Sequence, residues 1–287
     1  MDDRELLKVV MDIVGRENCL DDCAVLPCGD RAMVATTDML HRTSDFAGGM
    51  TDWQIGWMSA AVTISDIASM GAAPAYLLIA VGIDEWQRLE GVMRGAQDCC
   101  RKFGAAIIGG DIDRHGELTV VTTGLGLVES RYLVRRAGAK AGDLVCITGT
   151  PGQAQAYLDG YAQFETFLFE PQPRVAEGQI LGRAGASAMM DDSDGIALSL
   201  YDLAGVNGCG FSLDSGNLPT PPGIPADQAR ELALYGGGDY ELIFTLPPSK
   251  HPVEGLSYHV IGSVTAGRAI TIDGLPLEKR GYQHTWE

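Results

Sequence analysis

The chain has 287 residues, a length that favours two compact domains, and 46% hydrophobic with 21% charged residues is ordinary for a soluble globular protein. Acidic residues outnumber basic ones 38 to 21, and the net charge of -17 argues against nucleic acid and anionic membrane surfaces as partners. No stretch reaches the roughly 20 apolar residues that span a bilayer, and the charged N-terminus does not resemble a signal peptide. We therefore predict a cytoplasmic protein.

The first half of the chain alternates helical and extended patterns. Apolar residues recur at helical spacing over residues 3–16, which predicts a helix with one buried face that packs on the first domain. Residues 52–70 are apolar on nearly every face, so this helix is predicted to be buried on most sides, and Gly71 ends it. The other predicted elements are a helix over 84–103 and strands over 32–37, 105–109 and 118–128.

The second half repeats this mixed pattern after residues 129–143, a segment rich in charge and glycine that is the best candidate for a domain junction. We predict an α/β (α+β) protein with two domains, residues 1–135 and 136–287. Beyond the junction, strands are predicted over 144–148, 187–190, 209–213, 240–246 and 258–264, and helices over 151–161, 173–184, 194–205 and 226–235.

Five short acidic clusters stand beside apolar or glycine-rich runs. Mg²⁺ prefers oxygen ligands and is usually held by a few carboxylates together with substrate phosphates, so their recurrence predicts a phosphate-handling enzyme. Asp66 is unexpected in a buried helix, because a buried carboxylate must be paired, protonated or bound to metal. The clusters are Leu20-Asp21-Asp22-Cys23, Thr36-Thr37-Asp38, Ile64-Ser65-Asp66, Gly109-Gly110-Asp111 and Asp191-Asp192-Ser193-Asp194.

Single members of these clusters also have local explanations. Asp21 and Asp22 could form an Asx turn before a strand, and Ser193 or Asp194 could cap the helix that follows. Such turns and caps do not explain why acidic clusters recur at five places.

Two further features could serve a polyphosphate. Gly109 and Gly110 follow an apolar strand and would let backbone amides approach a phosphate. A basic group in an otherwise acidic chain could bind phosphates or could be a solvated loop. This group contains Arg131, Arg135, Arg136 and Lys140.

Several common catalytic signatures are missing from the sequence. It contains no GxxxxGK[ST] loop, no HExxH pair and no GxSxG elbow. P-loop, zinc-protease and serine-hydrolase chemistry are therefore disfavoured, and any ATP would be bound through metal and scattered backbone groups.

The ordered motifs resemble those of one family nearly from end to end. They are LDDCAVL, ATTDMLH, WMSAAVTISDIASMGAAP, IIGGDIDR, RRAGAKAGD, TGTPG, DDSDGIALSLYDLA, GGGDYELIF and GYQHTW. The chain resembles the thiamine-monophosphate kinase family of the AIR-synthase-like superfamily. The resemblance implies two α/β domains, a homodimer formed through N-terminal sheets, and transfer of the ATP γ-phosphate to thiamine monophosphate.

The resemblance also implies roles for individual residues. Arg136 and Ser193 correspond to ATP contacts, and Asp38, Asp66 and Asp111 take the catalytic role. The residues that correspond to the Mg²⁺ set are Asp22, Thr36, Thr37, Asp38, Asp66, Asp111, Asp191 and Asp194.

Such a reaction suits a site rich in aspartate and poor in histidine. The acceptor is a phosphate monoester that is mostly anionic at neutral pH, so it needs no general base. The main obstacle is repulsion between two polyanions, which several Mg²⁺ ions and one arginine would offset during in-line transfer.

The chain departs from the family pattern near the acceptor. Leu20 replaces a glycine, Asp45 replaces a histidine used toward substrate, and Gly238 replaces the glutamate of a GGED motif. Thr285 stands at the usual phenylalanine position, and we predict that the next residue, Trp286, contacts the substrate ring by a cation–π interaction. Asp45 could reach a cationic ring or Mg²⁺, or could be a loop carboxylate in solvent.

Two other functions remain open from the sequence. One is a sibling ATP-dependent synthetase, in which ATP activates an amide or carbonyl oxygen, and the GYQHTW tail argues against it. The other is a non-catalytic paralogue that binds ATP and Mg²⁺, which the changes at Asp45 and Gly238 keep possible.

Overall fold

The computed structural model describes residues 2–286, which form two β-sheets with helices packed on them. The first sheet has the strand order β1-β2-β5-β3-β4 and the second β12-β11-β8-β10-β6-β9-β7. The strands are β1 (Ala24–Cys28), β2 (Arg31–His41), β3 (Ala73–Ile83), β4 (Ala106–Arg114), β5 (Thr119–Glu129), β6 (Leu144–Ile147), β7 (Ala188–Asp192), β8 (Gly210–Leu213), β9 (Glu241–Leu246), β10 (His259–Thr265), β11 (Ile270–Ile272) and β12 (Leu275–Pro276).

The helices that cover these sheets are α1 (Asp3–Val14), α2 (Asp52–Ser69), α3 (Leu89–Phe103), α4 (Gln153–Leu158), α5 (Glu165–Phe169), α6 (Val175–Ala184), α7 (Ile196–Asn207) and α8 (Ala226–Tyr235). The α/β prediction is confirmed by this mixture of sheets and helices. Among the described residues, none of these helices is long and apolar enough to cross a membrane.

Within residues 2–286, helices cover the first sheet on one face only. Leu77, Ile79 and Val120 belong to the buried inner face, where α2 and α3 supply most of the opposing core. Alternate residues point to the other side, where apolar side chains remain exposed. These exposed residues are Leu26, Met39, Tyr76 and Leu78, which we call the open sheet face.

The second sheet is covered on both faces. On adjacent strands β7 and β9, Met189 and Phe244 pack in one core with α6, whereas Met190 and Ile243 pack in the other core with α7 and α8. Every residue of β7 and β9 is buried, as expected for strands between two helical layers.

Helix α2 connects the two sheets. Thr51 caps its N-terminus, where its side chain accepts a hydrogen bond from the Gln54 backbone N–H. The Trp57 indole donates to the Pro171 carbonyl at 2.9 Å, and the Ser65 hydroxyl donates to Asp191 at the end of β7 at 2.7 Å. The prediction of a helix buried on most sides is confirmed, and its contacts on both sides explain the lack of a polar face.

The prediction for the first helix is partly wrong. Helix α1 forms, but none of its residues is buried. Its Arg4 contacts Asp194 and Asp202, which belong to the second half of the chain and not to the predicted first domain. An amphipathic pattern identifies a helix with an apolar face but does not identify what covers that face.

Other differences concern elements that were not predicted from the sequence. Strand β3 lies between the helices predicted over 52–70 and 84–103, where the sequence predicted neither a helix nor a strand. It carries Pro74 next to a register shift in its pairing with β5. The apolar residues of β3 do not alternate with polar ones as in a half-buried strand, and a proline argues against a strand. The helix expected from residue 84 begins at Leu89. The other missed elements are β1, α5, β11 and β12.

Candidate active site

Four carboxylates from separate parts of the chain meet between the two sheets. Asp22 precedes β1, Asp38 lies on β2, Asp66 on α2 and Asp191 at the end of β7, and we call them the acidic cluster. Each accepts a hydroxyl hydrogen bond that fixes its side chain. The donors are Ser69 to Asp22 at 2.5 Å, Thr63 to Asp38 at 2.6 Å, Thr36 to Asp66 at 2.5 Å and Ser65 to Asp191 at 2.7 Å.

The acidic cluster has the composition and spacing of a hard-cation site. One carboxylate oxygen from each of Asp22, Asp66 and Asp191 lies within 4.8 Å of the others. Burial, followed by the charge of Asp38, raises the pKa of Asp66 well above its usual range. Burial and the Asp22 charge raise the pKa of Asp191 to about 8. Like charges at this separation favour protonation or a bound cation, so these residues fit Mg²⁺.

Part of the predicted basic group faces this cluster. The Arg136 guanidinium donates to Asp22 through Nε at 2.8 Å and through Nη2, and its backbone N–H donates to Asp21 at 2.9 Å. Arg135 binds the other oxygen of Asp21 at 2.6 Å. The two aspartates are therefore held by arginines from the segment between the sheets, whereas Arg131 pairs with Glu129.

A cavity of about 310 Å³ opens beside the acidic cluster. Asp38, Asp66 and Asp191 line one side, and Asp194 extends this acidic wall. The other lining residues are aromatic or apolar and form a second side, the aromatic wall, so the cavity combines a wall suited to cations with a wall suited to a ring. Residues of this second side are Met58, Val62, Leu168, Tyr240, Tyr282 and His284.

The turn from β7 to α7 contributes to the cavity in an unexpected way. Ser193 and Asp194 both line it, and neither caps α7, whose N-cap is Gly195 without a side-chain hydrogen bond. The capping explanation for these two residues is therefore wrong. The Ser193 carbonyl accepts a hydrogen bond from the backbone N–H of Gly238 at 2.8 Å, which joins this turn to the glycine run.

Other predicted site residues lie away from the acidic cluster within one chain. Residues of β2 alternate, so Thr36 and Asp38 face α2 while Thr37 points to the other side, where its hydroxyl contacts Thr123. Asp111 pairs with Ala80 and is exposed on the outermost strand, β4. For Thr37 and Asp111 the metal role stays a prediction.

The two glycines before Asp111 also lie on β4. A Cβ at Gly110 would approach the Ile79 carbonyl oxygen at 1.7 Å, so the pairing of β3 with β4 already requires a glycine there. Gly109 is exposed on the same strand. Their role toward ATP stays a prediction.

The two residues predicted to contact substrate occupy different positions. Asp45 lines the cavity, where its carboxylate accepts from the His41 backbone N–H at 2.7 Å and the Ser44 hydroxyl at 2.8 Å. Trp286 is half-exposed and packs against His284, which itself lines the cavity together with Tyr282. Within the C-terminal segment, Tyr282 and His284 therefore line the cavity, and Trp286 lies beside them.

Comparison with known proteins identifies the family of this chain. Residues 20–128 match the family described as AIR synthase related protein, N-terminal domain. A thiamine-monophosphate kinase of Methanospirillum hungatei JF-1 is 51% identical over 288 residues, with 100% of each chain covered. This chain belongs to the thiamine-monophosphate kinase family. The resemblance is confirmed, and the enzymes of this family are phosphotransferases.

Solved structures agree with the assignment to the thiamine-monophosphate kinase family. The crystal structure of thiamine-monophosphate kinase from Stenotrophomonas maltophilia K279a is 30% identical and superposes with a TM-score of 0.81, with 90% of each chain covered. AaThiL complexed with AMPPCP and TMP has a TM-score of 0.91 at 24% identity, with coverage of 99% of this chain and 97% of that chain. At that identity the likeness concerns the fold, and it confirms the AIR-synthase-like architecture.

The roles of several residues of the site were not predicted from the sequence. The hydroxyls of Thr63, Ser65 and Ser69 orient carboxylates of the acidic cluster, and their signal was the presence of buried polar side chains in an otherwise apolar helix. Tyr240 lines the cavity with a positive φ of 55°. Arg4 reaches Asp194 from the start of the chain, and no local pattern marks it.

Proposed function

We propose that this chain transfers the γ-phosphoryl group of ATP directly to thiamine monophosphate, producing thiamine diphosphate and ADP. The proposal rests on one observation above all: a single cavity is lined both by the carboxylates of Asp38, Asp66, Asp191 and Asp194 and by aromatic side chains. The family supports the substrates, since AaThiL was solved with AMPPCP and TMP. An in-line displacement suits an acceptor that is already anionic.

The acidic cluster would hold the divalent cations, with Asp194 as a further ligand at the rim. Bound Mg²⁺ would neutralise the charge that two phosphate-bearing substrates bring together. Asp38, Asp66 and Asp191 are held by hydroxyl groups, so their oxygens are preoriented before any substrate arrives. We propose Asp111 and Thr37 as additional ligands on the basis of the family pattern.

Arg136 and Ser193 are proposed to contact ATP, and the glycines of β4 to approach a phosphate with backbone amides. Arg136 is held by Asp22, so its guanidinium already lies at the edge of the acidic cluster. Ser193 lines the cavity beside Asp194. An arginine there would stabilise charge that develops on the transferred group.

The acceptor is proposed to lie against the aromatic wall. Tyr282 and His284 line it directly, and the Trp286 ring lies tilted beside His284 with their centroids 6.4 Å apart, so Trp286 would extend this wall rather than form it alone. Asp45 places a carboxylate in the same cavity and could attract the positively charged thiazolium ring. Its two internal hydrogen bonds support a fixed position.

We propose a homodimer formed through the open sheet face and a domain boundary between residues 135 and 136. The open sheet face exposes Leu26, Met39, Tyr76 and Leu78 on the side of the first sheet that faces away from α2 and α3. Exposed apolar patches of this kind mark interaction surfaces.

The proposed domain boundary is supported by the strand ranges, because the last strand of the first sheet ends at Glu129 and the first strand of the second sheet begins at Leu144. A cytoplasmic location stays a prediction of the sequence.

The function is tested by incubating the purified protein with ATP, Mg²⁺ and thiamine monophosphate and analysing the products by chromatography. We expect thiamine diphosphate and ADP in equal amounts, and none when thiamine replaces thiamine monophosphate. Asp66→Asn should lower kcat by at least about 100-fold, because it removes a central ligand of the cluster. Asp84→Asn, on the surface, is the matched control.

Two outcomes would contradict the proposal. If ATP binds but no thiamine diphosphate forms, the chain is a non-catalytic nucleotide-binding paralogue. If ADP and inorganic phosphate form only with an amide-bearing acceptor, the sibling synthetase activity is correct. An Asp66→Asn enzyme with normal kcat would remove Asp66 from the catalytic set.

A further inference from the structure

Arg4 contacts the candidate active site although it lies in the first turn of α1. Its Nη2 donates to one carboxylate oxygen of Asp194 at 2.9 Å and to Asp202 on α7 at 2.8 Å. Its Nε also donates to Asp202, at 3.2 Å. The Arg4 side chain is 18% exposed, unusually low for a charged residue near the start of a chain.

The two carboxylates are bound in different ways. Asp202 accepts hydrogen bonds from both Nε and Nη2 of Arg4, the paired geometry in which an arginine is held most firmly. Asp194 receives a single hydrogen bond on Oδ2. Within residues 2–286 no hydrogen bond to Asp194 Oδ1 is found, so one oxygen is held while the other remains available to a ligand.

The surrounding chain keeps this arrangement at the rim of the cavity. The Asp3 backbone N–H donates to the His284 carbonyl at 3.2 Å, and the Tyr282 backbone N–H donates to the Asp194 carbonyl at 3.0 Å. Asp194, Tyr282 and His284 all line the cavity. The start of α1, the C-terminal segment and the turn before α7 therefore meet at one edge of the site.

We propose that Arg4 is a positioning residue that orients the Asp194 carboxylate so that its free oxygen faces a divalent cation in the active site, with Asp202 as the anchor of Arg4. The inference rests on the proposed function, in which Asp194 is a metal ligand. Carboxylates that bind metals are commonly held by a second hydrogen-bonding partner, and loss of that partner weakens metal binding. In this way α1 becomes part of the active site even though it contributes no buried residue.

A purely structural role makes a different prediction. An ion pair that only attaches α1 to α7 would lower the stability of the protein when removed but would leave cation binding unchanged. The two roles are separated by measuring cation affinity directly and independently of turnover.

The test compares three variants of the full chain. Mn²⁺ is titrated by electron paramagnetic resonance in the presence of the ATP analogue AMPPCP, and the Mg²⁺ dependence of thiamine diphosphate formation is measured in parallel. Arg4→Ala should raise the Mn²⁺ Kd, and the Mg²⁺ concentration for half-maximal rate, by about 10- to 100-fold. Arg4→Lys should give an intermediate value, because one ammonium group cannot reproduce the fork that binds two carboxylates.

Arg16→Ala is the matched control. Arg16 follows the same helix and donates to the Gly205 carbonyl of α7, so its removal deletes an equal charge and another contact between these segments. It should leave the Mn²⁺ Kd at the wild-type value. The melting temperature of each variant confirms that it is folded under the conditions of the titration.

The proposal is overturned if Arg4→Ala binds Mn²⁺ as tightly as the wild type or more tightly, whatever its melting temperature, or if Arg16→Ala weakens binding equally. Failure of the proposed function is a separate result. In that case the wild-type protein would form no thiamine diphosphate, while the difference in Mn²⁺ affinity between Arg4→Ala and Arg16→Ala would still be measurable.

Discussion

At the scale of single residues, the main feature is a group of carboxylates that the fold holds close together. Asp22, Asp38, Asp66 and Asp191 repel one another, and hydroxyl groups of α2 and β2 hold their side chains in place. Such an arrangement is unfavourable without protons or cations and is retained where function requires it. The repulsion among these carboxylates therefore both favours a bound cation and lowers the stability of the fold.

The first prediction concerns the pH dependence of stability in the absence of divalent cations. Burial and Asp22 raise the pKa of Asp191 to about 8, above its value in the unfolded chain. The folded state then binds more protons, so the stability contribution of protonated Asp191 is complete at low pH and is lost as pH rises toward 8. The free energy of unfolding in EDTA should fall between pH 5 and 8, by up to about 1.4 kcal/mol per pH unit for one such group.

Urea unfolding of Asp191→Asn tests this directly, because the amide cannot ionise. Its stability should decline less with pH than that of the wild type, whereas Asp12→Asn on the exposed side of α1 should keep the wild-type slope. Saturating Mg²⁺ should also flatten the wild-type curve. A wild-type stability that is constant or rises over pH 5–8 in EDTA would show that Asp191 does not remain protonated in the folded chain.

At the scale of elements, α2 and α3 approach each other so closely that glycine is required at their crossing. A Cβ at Gly95 would lie 1.8 Å from the Trp53 carbonyl oxygen, and a Cβ at Gly56 would lie 1.8 Å from the Val92 carbonyl oxygen. Both obstructing atoms are backbone, so a side-chain rotation cannot relieve the contact. The crossing positions α2, and with it Asp66 and the hydroxyl groups that orient the acidic cluster.

We expect Gly95→Ala to destabilise the protein by about 3 kcal/mol, since overpacking at this site must displace one helix. Gly205→Ala is the matched control, because Gly205 also lies in a helix but has nothing within 4 Å of the added Cβ. That change should be neutral or stabilising by up to about 1 kcal/mol, from helix propensity alone. Urea unfolding measures both, and equal effects of the two substitutions would contradict the packing argument.

At the scale of the whole molecule, the two sheets differ in how they are covered. The second sheet has helices on both faces, whereas the first has the open sheet face. Asp111 and Thr37 lie on the first sheet away from the acidic cluster. Whether they join a metal site therefore depends on what covers that sheet.

Leu78→Asp should disrupt the proposed homodimer. Leu78 is 39% exposed in the single chain, so a polar residue is tolerated there, but in a symmetric interface it would bury two opposing carboxylates. Like charges placed together across an interface cost several kcal/mol, and we expect the dimer Kd to rise by at least about 100-fold. Trp86→Asp, at a 76% exposed position beyond the end of β3, should leave it unchanged. Sedimentation equilibrium would contradict the proposal if both variants stayed dimeric or if the wild type were a monomer.

Local patterns in the sequence were sufficient to predict α2, most of the second-half elements and the aspartates of the acidic cluster. In a helix or an alternating strand, the spacing of nearby apolar residues indicates which side chains are buried. An aspartate such as Asp66 in an apolar helix is therefore recognisable without a structure. The prediction failed where the signal was not local, as in the missed strand β3 and in the partner of α1.

The sequence by itself determined the fold class, the family and the oxygen-rich chemistry of the site, because these depend on residue types and on their order. Only the tertiary structure decided which residues meet. It brought Asp22, Asp66 and Asp191 within 4.8 Å, separated Thr36 from Thr37 by strand alternation, and brought Arg4 to Asp194 across 190 residues of chain. Contacts between distant segments depend on how sheets and helices pack, and no pattern within a short window of sequence specifies that packing.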